Sequence, residues 1–133
     1  MKHVVKALLV CAALFFAFPT ICPADDLIQS LAEAKQTNKN LFIIFSRDAC
    51  GHCQHLKEMI KDGSVKISSS AFIIADINND DKTQSAAFYK WYPIRGSSLP
   101  FVVIAKPDGA MISFRTGAGE AEEFNKLIQN VKN

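Results

Sequence analysis

Cys50 and Cys53 stand three positions apart in the stretch SRDACGHCQHLKEMI, with Gly51 and His52 between them. Two thiols at this spacing can cycle between a dithiol and a disulfide and so act as a redox couple. Cysteine pairs also serve as zinc ligands and as structural disulfides. The surrounding sequence has to distinguish these three kinds of site.

The position of the pair along the chain favours redox chemistry. The pair follows an apolar run, residues 41–45, and opens a stretch of helical periodicity. Unpartnered N–H groups and the helix dipole stabilise a thiolate at a helix N-terminus, where cysteine pKa values fall from about 8.5 to between about 3.5 and 7.5. We predict that Cys50 is the exposed, attacking thiol. Cys53, one turn later on the apolar face, is predicted to be shielded and to resolve the mixed disulfide.

The Gly51–His52 dipeptide is expected to tune the redox behaviour of the pair. A protonated imidazole beside Cys50 favours its thiolate and stabilises the reduced form. Stabilising the reduced form makes the disulfide a stronger oxidant.

Metal and haem sites fit the sequence poorly. A structural zinc site takes four ligands, and after residue 24 the cysteines and histidines all fall within six residues, at Cys50, His52, Cys53 and His55. Covalent haem attachment needs a histidine directly after the second cysteine, where this chain has Gln54. An inert disulfide across so short a loop would add little stability. We therefore expect a redox pair without a metal or a cofactor.

Residues 1–24 have the pattern of a secretory signal peptide. A short basic segment, MKHVVK, precedes an uncharged apolar run of 12 residues, and Ala24 supplies a small residue for cleavage. The apolar run is shorter than the roughly 20 residues that span a bilayer. Export places the thiols in an oxidising compartment, and the ending VKN is not an endoplasmic-reticulum retention signal. We expect a periplasmic protein; a retained N-terminal anchor is the alternative.

Cleavage after the leader would leave a near-neutral domain, residues 25–133. Two of the 15 basic residues leave with the leader, so that 13 remain against 13 acidic ones. The leader also contains Cys11 and Cys22, so Cys50 and Cys53 become the only thiols. A neutral chain without a basic stripe argues against nucleic acid or an anionic membrane surface as partner. We expect a monomer.

Hydrophobic periodicity predicts the elements that position the pair. Helices are predicted at residues 25–37, 53–60, 80–92 and 120–131, and strands at 41–45, 71–78, 101–105 and 110–114. The core-facing residues of the first helix are predicted to be Leu27, Ile28, Leu31 and Ala34. A βαβ unit followed by a hairpin predicts one α/β domain, a four-stranded mixed sheet with helices on both faces.

Three segments resemble the thioredoxin superfamily. FIIFSRDACGHC is similar to the strand, loop and C-X-X-C motif of thioredoxin-fold proteins, and YPIRGSSLPFVVIAKPDG to their cis-proline loop, strand and turn. LAEAKQTNKNLFIIF resembles the helix and strand ahead of the motif in small periplasmic thioredoxin-like proteins. The C-G-H-C tetrad matches the catalytic domains of protein disulfide isomerase.

The resemblance implies a thioredoxin fold and thiol:disulfide oxidoreductase activity. Cys50 matches the nucleophile and Cys53 the resolving thiol. Pro100 matches the cis-proline that lies beside the disulfide and helps to hold the substrate peptide, and Leu99 matches a position that tunes redox behaviour and substrate contact. The implied partners are exported cysteine-containing proteins and a membrane electron donor of the Dsb type.

The chain departs from the family pattern at positions that matter for chemistry. The buried acid expected six residues before the first cysteine is Ile44, and the tryptophan usual before that cysteine is Ala49. Asp48 is close in sequence but is expected to be solvated on the loop. The proton of Cys53 then has to go to water, to His52 or to a partner.

The direction of the reaction stays open at this point. The missing acid and the Gly-His dipeptide both argue against a thioredoxin-like potential. The length leaves no room for the large insertion of the dedicated oxidase or for the dimerisation domain of the bacterial isomerases. We favour a reductase, with a dithiol oxidase or isomerase as the alternative and a non-enzymatic binding or metal-carrying module as a further one.

Overall fold

A computed structural model of the chain describes residues 26–96 and 98–132. The predicted leader, residues 1–24, lies outside them. In the described ranges the elements are α1 (Leu27–Thr37), β1 (Asn40–Ser46), α2 (Gly51–Lys61), β2 (Phe72–Asn78), α3 (Lys82–Trp91), β3 (Phe101–Ala105), β4 (Met111–Thr116) and α4 (Ala121–Gln129), followed by a 3₁₀ turn (Asn130–Lys132). Within the same ranges, no helix is long and apolar enough to cross a membrane.

The four strands form one mixed sheet in the order β2-β1-β3-β4. β1 pairs in parallel with β2 and antiparallel with β3, and β3 pairs antiparallel with β4. The predicted α/β fold, with a βαβ unit and a terminal hairpin around a four-stranded mixed sheet, is confirmed.

The side chains of β1 supply both hydrophobic cores. Leu41, Ile43 and Phe45 pack in one cluster with residues of α1 and α3, whereas Phe42 and Ile44 pack in the other with residues of α2 and α4. Burying an aliphatic or aromatic side chain of this size contributes about 1.5–3 kcal/mol. Because both faces of β1 are covered, its sequence is a continuous apolar run. This buried strand provides a rigid support for the start of α2.

α1 differs from the prediction at Ile28, which is 52% exposed. The helix starts after Asp26, whose Oδ1 accepts a hydrogen bond from the Ile28 N–H at 2.9 Å. The buried face then follows i, i+3, i+4 and i+7 spacing through Leu27, Ser30, Leu31 and Ala34. Ile28 falls about one residue's rotation, 100°, away from this face, and Ser30 takes the inward position.

The turn between β3 and β4 is tied to the end of α3. Gly109 has a φ of +86°, which glycine adopts without a steric penalty, and its N–H donates to the Lys106 carbonyl at 2.9 Å. The buried Tyr92 hydroxyl donates to the Gly109 carbonyl at 2.9 Å. Burial, with a further contribution from the Asp108 carboxylate, raises the pKa of Tyr92 to about 12.

Candidate active site

Cys50 lies at the junction of β1 and α2, where it caps the helix. Its backbone is extended, with φ −106° and ψ 107°, and its carbonyl accepts the first helical hydrogen bond from the Gln54 N–H at 3.1 Å. Its Sγ accepts a hydrogen bond from the Cys53 N–H at 3.2 Å. The sulfur therefore occupies the site at which an N-cap oxygen normally sits, and the local field there favours negative charge.

The two cysteines differ sharply in exposure. Cys50 is partly exposed, whereas Cys53 is 0% exposed. They form a disulfide, with their Cα atoms 5.2 Å apart. A partner can therefore reach the sulfur of Cys50 but not that of Cys53, the asymmetry predicted from the helical phase of the motif.

The two residues between the cysteines are exposed. A Cβ added at Gly51 would meet no atom within 4 Å in the described part of the chain, so no side chain crowds this point of the motif. His52 and the neighbouring His55 both face solvent. Among residues 26–96 and 98–132, no three His, Cys, Asp or Glu side chains gather where they could hold a metal ion.

The loop that leads into β3 lies beside the cysteine pair. The peptide bond between Leu99 and Pro100 is cis, the isomer that the family resemblance implies. Pro100 is buried, and its carbonyl accepts a hydrogen bond from the Gly117 N–H at 2.9 Å, which ties the loop to the end of β4. Leu99 is partly buried and packs against the core. Leu99, which precedes Pro100, lines the same groove as Cys50.

This groove has a volume of about 510 Å³ and is open to solvent. Leu99 lines it together with Cys50 and His52, so the structure brings three of the predicted site residues together. Its lining also includes residues that the sequence did not single out, namely Arg47, Ala49, Asn79, Tyr89, Gly96, Ser98 and Phe101. We name it the Cys50 groove.

Two of these additional residues carried a signal that could have identified them. Arg47 follows β1 and Asn79 follows β2, and the carboxyl ends of parallel strands meet at the same edge of a sheet, where ligands commonly bind. The Asn79 N–H donates to the Ser46 carbonyl at 2.7 Å, which joins the two strand ends. Tyr89 reaches the groove from the last turn of α3, and no local sequence pattern marks it.

An acidic side chain lies next to the position where the resemblance predicts one. Ile44 is 2% exposed, and its register partner on β2 is Asp76. The Ser46 hydroxyl donates to Asp76 Oδ1 at 2.9 Å, and Lys57 Nζ of α2 lies 2.6 Å from Asp76 Oδ2. Asp48 is exposed on the loop before α2, as predicted. The acid is therefore present on the neighbouring strand instead of on β1.

The fold and the capped cysteine pair define a thioredoxin-fold protein with a thiol–disulfide site. The sequence profile of a family described as "Thioredoxin-like domain" matches residues 27–132, and the chain belongs to this family. Among curated proteins, no sequence is significantly similar to the chain.

Solved thioredoxin structures have a similar fold. A mutant thioredoxin from Halobacterium salinarum NRC-1 is 22% identical, with a TM-score of 0.60 over 79% of this chain and 85% of that one. Fasciola hepatica thioredoxin is 20% identical, with a TM-score of 0.58 over 78% and 90%. Thioredoxin f2, solved in a complex of ferredoxin:thioredoxin reductase and thioredoxin f2, is 16% identical, with a TM-score of 0.64 over 81% and 92%. At these identities the likeness shows the fold, and the cysteine pair within that fold supports thiol–disulfide oxidoreductase activity.

Proposed function

We propose that this protein exchanges disulfides with exported cysteine-containing proteins in the periplasm, and that it runs as a reductase. One observation carries the proposal: a helix-capping sulfur that solvent can reach is bonded to a buried sulfur one turn later. Neither a metal site nor a structural disulfide requires this difference in exposure between the two sulfurs. An exchange catalyst needs it, because one sulfur must meet the partner while the other waits inside.

The reductive cycle follows from this arrangement. The Cys50 thiolate attacks one sulfur of a partner disulfide, and the bonding electron pair leaves with the other partner sulfur, which takes up a proton. Cys53 then loses its proton and attacks Cys50 Sγ, forming the Cys50–Cys53 disulfide and releasing the second partner sulfur as a thiolate. The partner has gained two electrons. A membrane donor of the Dsb type returns two electrons to the pair and restores the dithiol.

The Cys50 groove is the proposed binding site for the partner polypeptide. Leu99 supplies an apolar part of the wall, and the Pro100 carbonyl, which accepts from the Gly117 N–H at 2.9 Å, ties the loop that carries Leu99 to the end of β4. Arg47 and Asn79 add polar groups at the carboxyl ends of β1 and β2. A groove of about 510 Å³ has room for a few residues of extended chain around a cysteine. The proposed exchange requires no cofactor.

Oxidation or isomerisation is the second candidate, and the exposed His52 favours it. His52 lines the same groove as Cys50, where a positive charge stabilises the thiolate and so the reduced form of the pair. A pair whose reduced form is stabilised oxidises partner thiols more readily than it reduces partner disulfides.

Turnover of a model disulfide tests the proposed activity. With dithiothreitol as the electron source, the protein should accelerate the reduction of insulin disulfides, and Cys50→Ser should abolish the acceleration. His55→Ala is the control, because this histidine is exposed and does not line the groove. Equal rates of insulin reduction with the wild type, with Cys50→Ser and without protein would refute the proposed oxidoreductase activity.

Localisation needs its own experiment. Cells that produce the full chain with a C-terminal tag should release the tagged protein with the periplasmic fraction after osmotic shock. Its recovery with the cytoplasm would contradict the proposed compartment and leave the chemistry of the pair untouched.

A further inference from the structure

The charged side chains on the walls of the Cys50 groove are basic. Arg47 contributes a permanent positive charge, and His52 contributes a further one when it is protonated. Among the described residues that line the groove, none is acidic. Asp48, the acidic residue nearest to Cys50 along the chain, lines a separate pocket instead. A partner segment that carries a carboxylate therefore meets opposite charge and no acidic side chain on these walls.

Arg47 is held close to the reacting cysteine at both its backbone and its side chain. The Cys50 N–H donates to the Arg47 carbonyl at 3.2 Å, which closes the turn between β1 and α2. Arg47 Nε donates to Asp80 Oδ1 at 3.1 Å. The loop that carries Asp80 is itself fixed, because the Asp80 N–H donates to Asn78 Oδ1 at 2.8 Å. The guanidinium is therefore positioned by the loops that follow β1 and β2.

The bond to Asp80 uses only part of the Arg47 guanidinium. Nε is the donor in this bond, and within residues 26–96 and 98–132 neither Nη atom of Arg47 has an acceptor. The Nη atoms carry most of the N–H donors of the group, and parallel N–H groups of arginine match the geometry of a carboxylate. The Arg47 side chain is 46% exposed, so a partner can reach these donors.

Asn79 adds a second donor at the same end of the groove. Its N–H donates to the Ser46 carbonyl at 2.7 Å, which holds Asn79 beside the end of β1. The Ser85 hydroxyl donates to Asn79 Oδ1 at 3.4 Å, so the oxygen of the amide is already occupied. Its Nδ2 has no acceptor in the part of the chain that the structure describes, and it is available to a partner together with the Arg47 Nη groups.

We propose that this end of the groove binds a carboxylate of the partner polypeptide, so that the protein prefers partners with aspartate or glutamate close to the reacting cysteine. The inference rests on the proposed oxidoreductase function and names its substrate class. The Arg47 Nη groups donate to the partner carboxylate, and Asn79 Nδ2 adds a further donor. Asp80 keeps the guanidinium oriented and reduces its net attraction for a second carboxylate. The exchange of disulfides at Cys50 follows the cycle given above.

Matched peptide disulfides test this preference. Short capped peptides with a central cysteine carry glutamate, glutamine or lysine on both sides of it, and each is oxidised to its symmetrical disulfide. The protein is reduced beforehand and mixed with each disulfide at low ionic strength. Acid quenching, alkylation and mass measurement then give the second-order rate constant for oxidation of the protein. Each peptide is compared between the wild type and a variant, so differences in the reactivity of the peptides themselves cancel.

Arg47→Gln should slow the reaction of the glutamate peptide selectively. We expect its rate constant to fall about fivefold, the effect that a partly exposed ion pair supports, and that of the glutamine peptide to change by less than about twofold. The lysine peptide should react no more slowly than with the wild type. The selective loss should shrink in about 1 M salt, where the Debye length is about 3 Å. A purely structural role of Arg47 would not produce this dependence on peptide charge and salt.

Two further variants separate recognition by Arg47 from other charge effects. Arg47→Gln also uncovers the Asp80 carboxylate, which repels glutamate. The double variant Arg47→Gln/Asp80→Asn should therefore stay slow with the glutamate peptide, because the donors are still missing. Lys126→Gln removes the same amount of positive charge from an exposed ion pair on α4, outside the groove, and should match the wild type with every peptide.

Several results would overturn the carboxylate site. Equal slowing of all peptides in Arg47→Gln, with a lower urea midpoint, would make the ion pair with Asp80 purely structural. Unchanged rate constants in Arg47→Gln, recovery of the wild-type rate constant in the double variant, or the same selective loss in Lys126→Gln would each exclude recognition by Arg47. A wild type that no peptide disulfide oxidises would refute the oxidoreductase itself, a separate outcome.

Discussion

Cys50 and Cys53 differ in exposure because of their positions on one helix. Cys50 caps α2 from an extended backbone, and Cys53 lies one turn inside it, on the face that packs against the sheet. Sequence spacing alone predicts this difference, since the helical phase places Cys53 with Leu56. The proposed roles of attacking and resolving thiol follow from it.

Single cysteine variants test these roles. Cys53→Ala should leave Cys50 able to attack partners but unable to release them, so mixed disulfides accumulate and show up as shifted bands on non-reducing gels. Cys50→Ala should give none, because Cys53 is buried. Trapping by Cys50→Ala but not by Cys53→Ala would reverse the assignment, and the trapped proteins would identify the substrates.

His52 should make the pair more oxidising. In His52→Ala the reduced form loses a favourable interaction with the Cys50 thiolate, and we expect the potential to fall by about 30 mV, equivalent to about a tenfold change in the exchange equilibrium. Redox titration of both proteins measures this, with His55→Ala as the matched control. An unchanged or higher potential would exclude the tuning role of His52.

The cysteine pair can be read from the sequence and the cis-proline is implied by the family resemblance, but the position of the acid follows from neither. Asp76 meets Lys57 only because β1 and β2 pair in one particular register and α2 crosses the same face. Lys57 and Asp76 lie on different elements, α2 and β2, and each residue taken alone resembles an ordinary solvated charge. The sequence analysis therefore recorded only that Ile44 replaces the expected acid, and it did not identify Asp76 on the neighbouring strand.

At the scale of elements, the apolar runs and helical stripes predict every helix and strand of the described residues to within a few positions. The differences are in where an element begins or ends. For example, β4 runs to Thr116 rather than to 114. The error at Ile28 has a different origin. The buried face runs through Leu27, Ser30, Leu31 and Ala34, and Ile28 follows Leu27 by one residue, a rotation of about 100°.

The start of α4 should make stability depend on acid pH. The Glu120 N–H, and secondly the Arg115 charge, hold the pKa of Glu123 below its usual value of 4.5. A depressed folded-state pKa adds stability above the unfolded value, and this stability disappears as the pH falls through the folded one. Between pH 7 and pH 3, the urea midpoint of Glu123→Gln should therefore fall less than that of the wild type.

A matched control accompanies this experiment. Glu122 forms an exposed i,i+4 pair with Lys126, and Glu122→Gln should follow the pH dependence of the wild type closely. Parallel pH profiles for wild type and Glu123→Gln would show that the contacts of Glu123 add no stability.

Tyr92→Phe should loosen the attachment of α3 to the β3–β4 turn. The variant leaves the buried Gly109 carbonyl without its donor, which costs about 1–2 kcal/mol. Chemical denaturation near neutral pH measures the loss, and Tyr89→Phe, with its partly exposed ring, should change stability by less than about 0.5 kcal/mol. Equal values for the two variants would mean that the hydrogen bond contributes nothing net.

At the scale of the whole molecule, the order of elements was enough to predict the sheet and its two helical layers. The βαβ unit requires a parallel pair, and the short turn at Gly109 requires an antiparallel one. The Cys50 groove was not predictable as a surface. Its walls come from the ends of two strands, the last turn of α3 and the Leu99 loop, which only the folded chain brings together.

The redox equilibrium of the Cys50–Cys53 pair tests the central claim most directly. The protein is equilibrated with a series of reduced and oxidised glutathione mixtures, and the fraction of disulfide is read from the mass added by a thiol-alkylating reagent. We predict one two-electron transition with a potential near −250 mV or lower, as a reductase requires. A potential of about −120 to −180 mV would contradict the reductase and favour an oxidase or isomerase; a pair that does not exchange at all, or that holds stoichiometric zinc, would contradict the redox account.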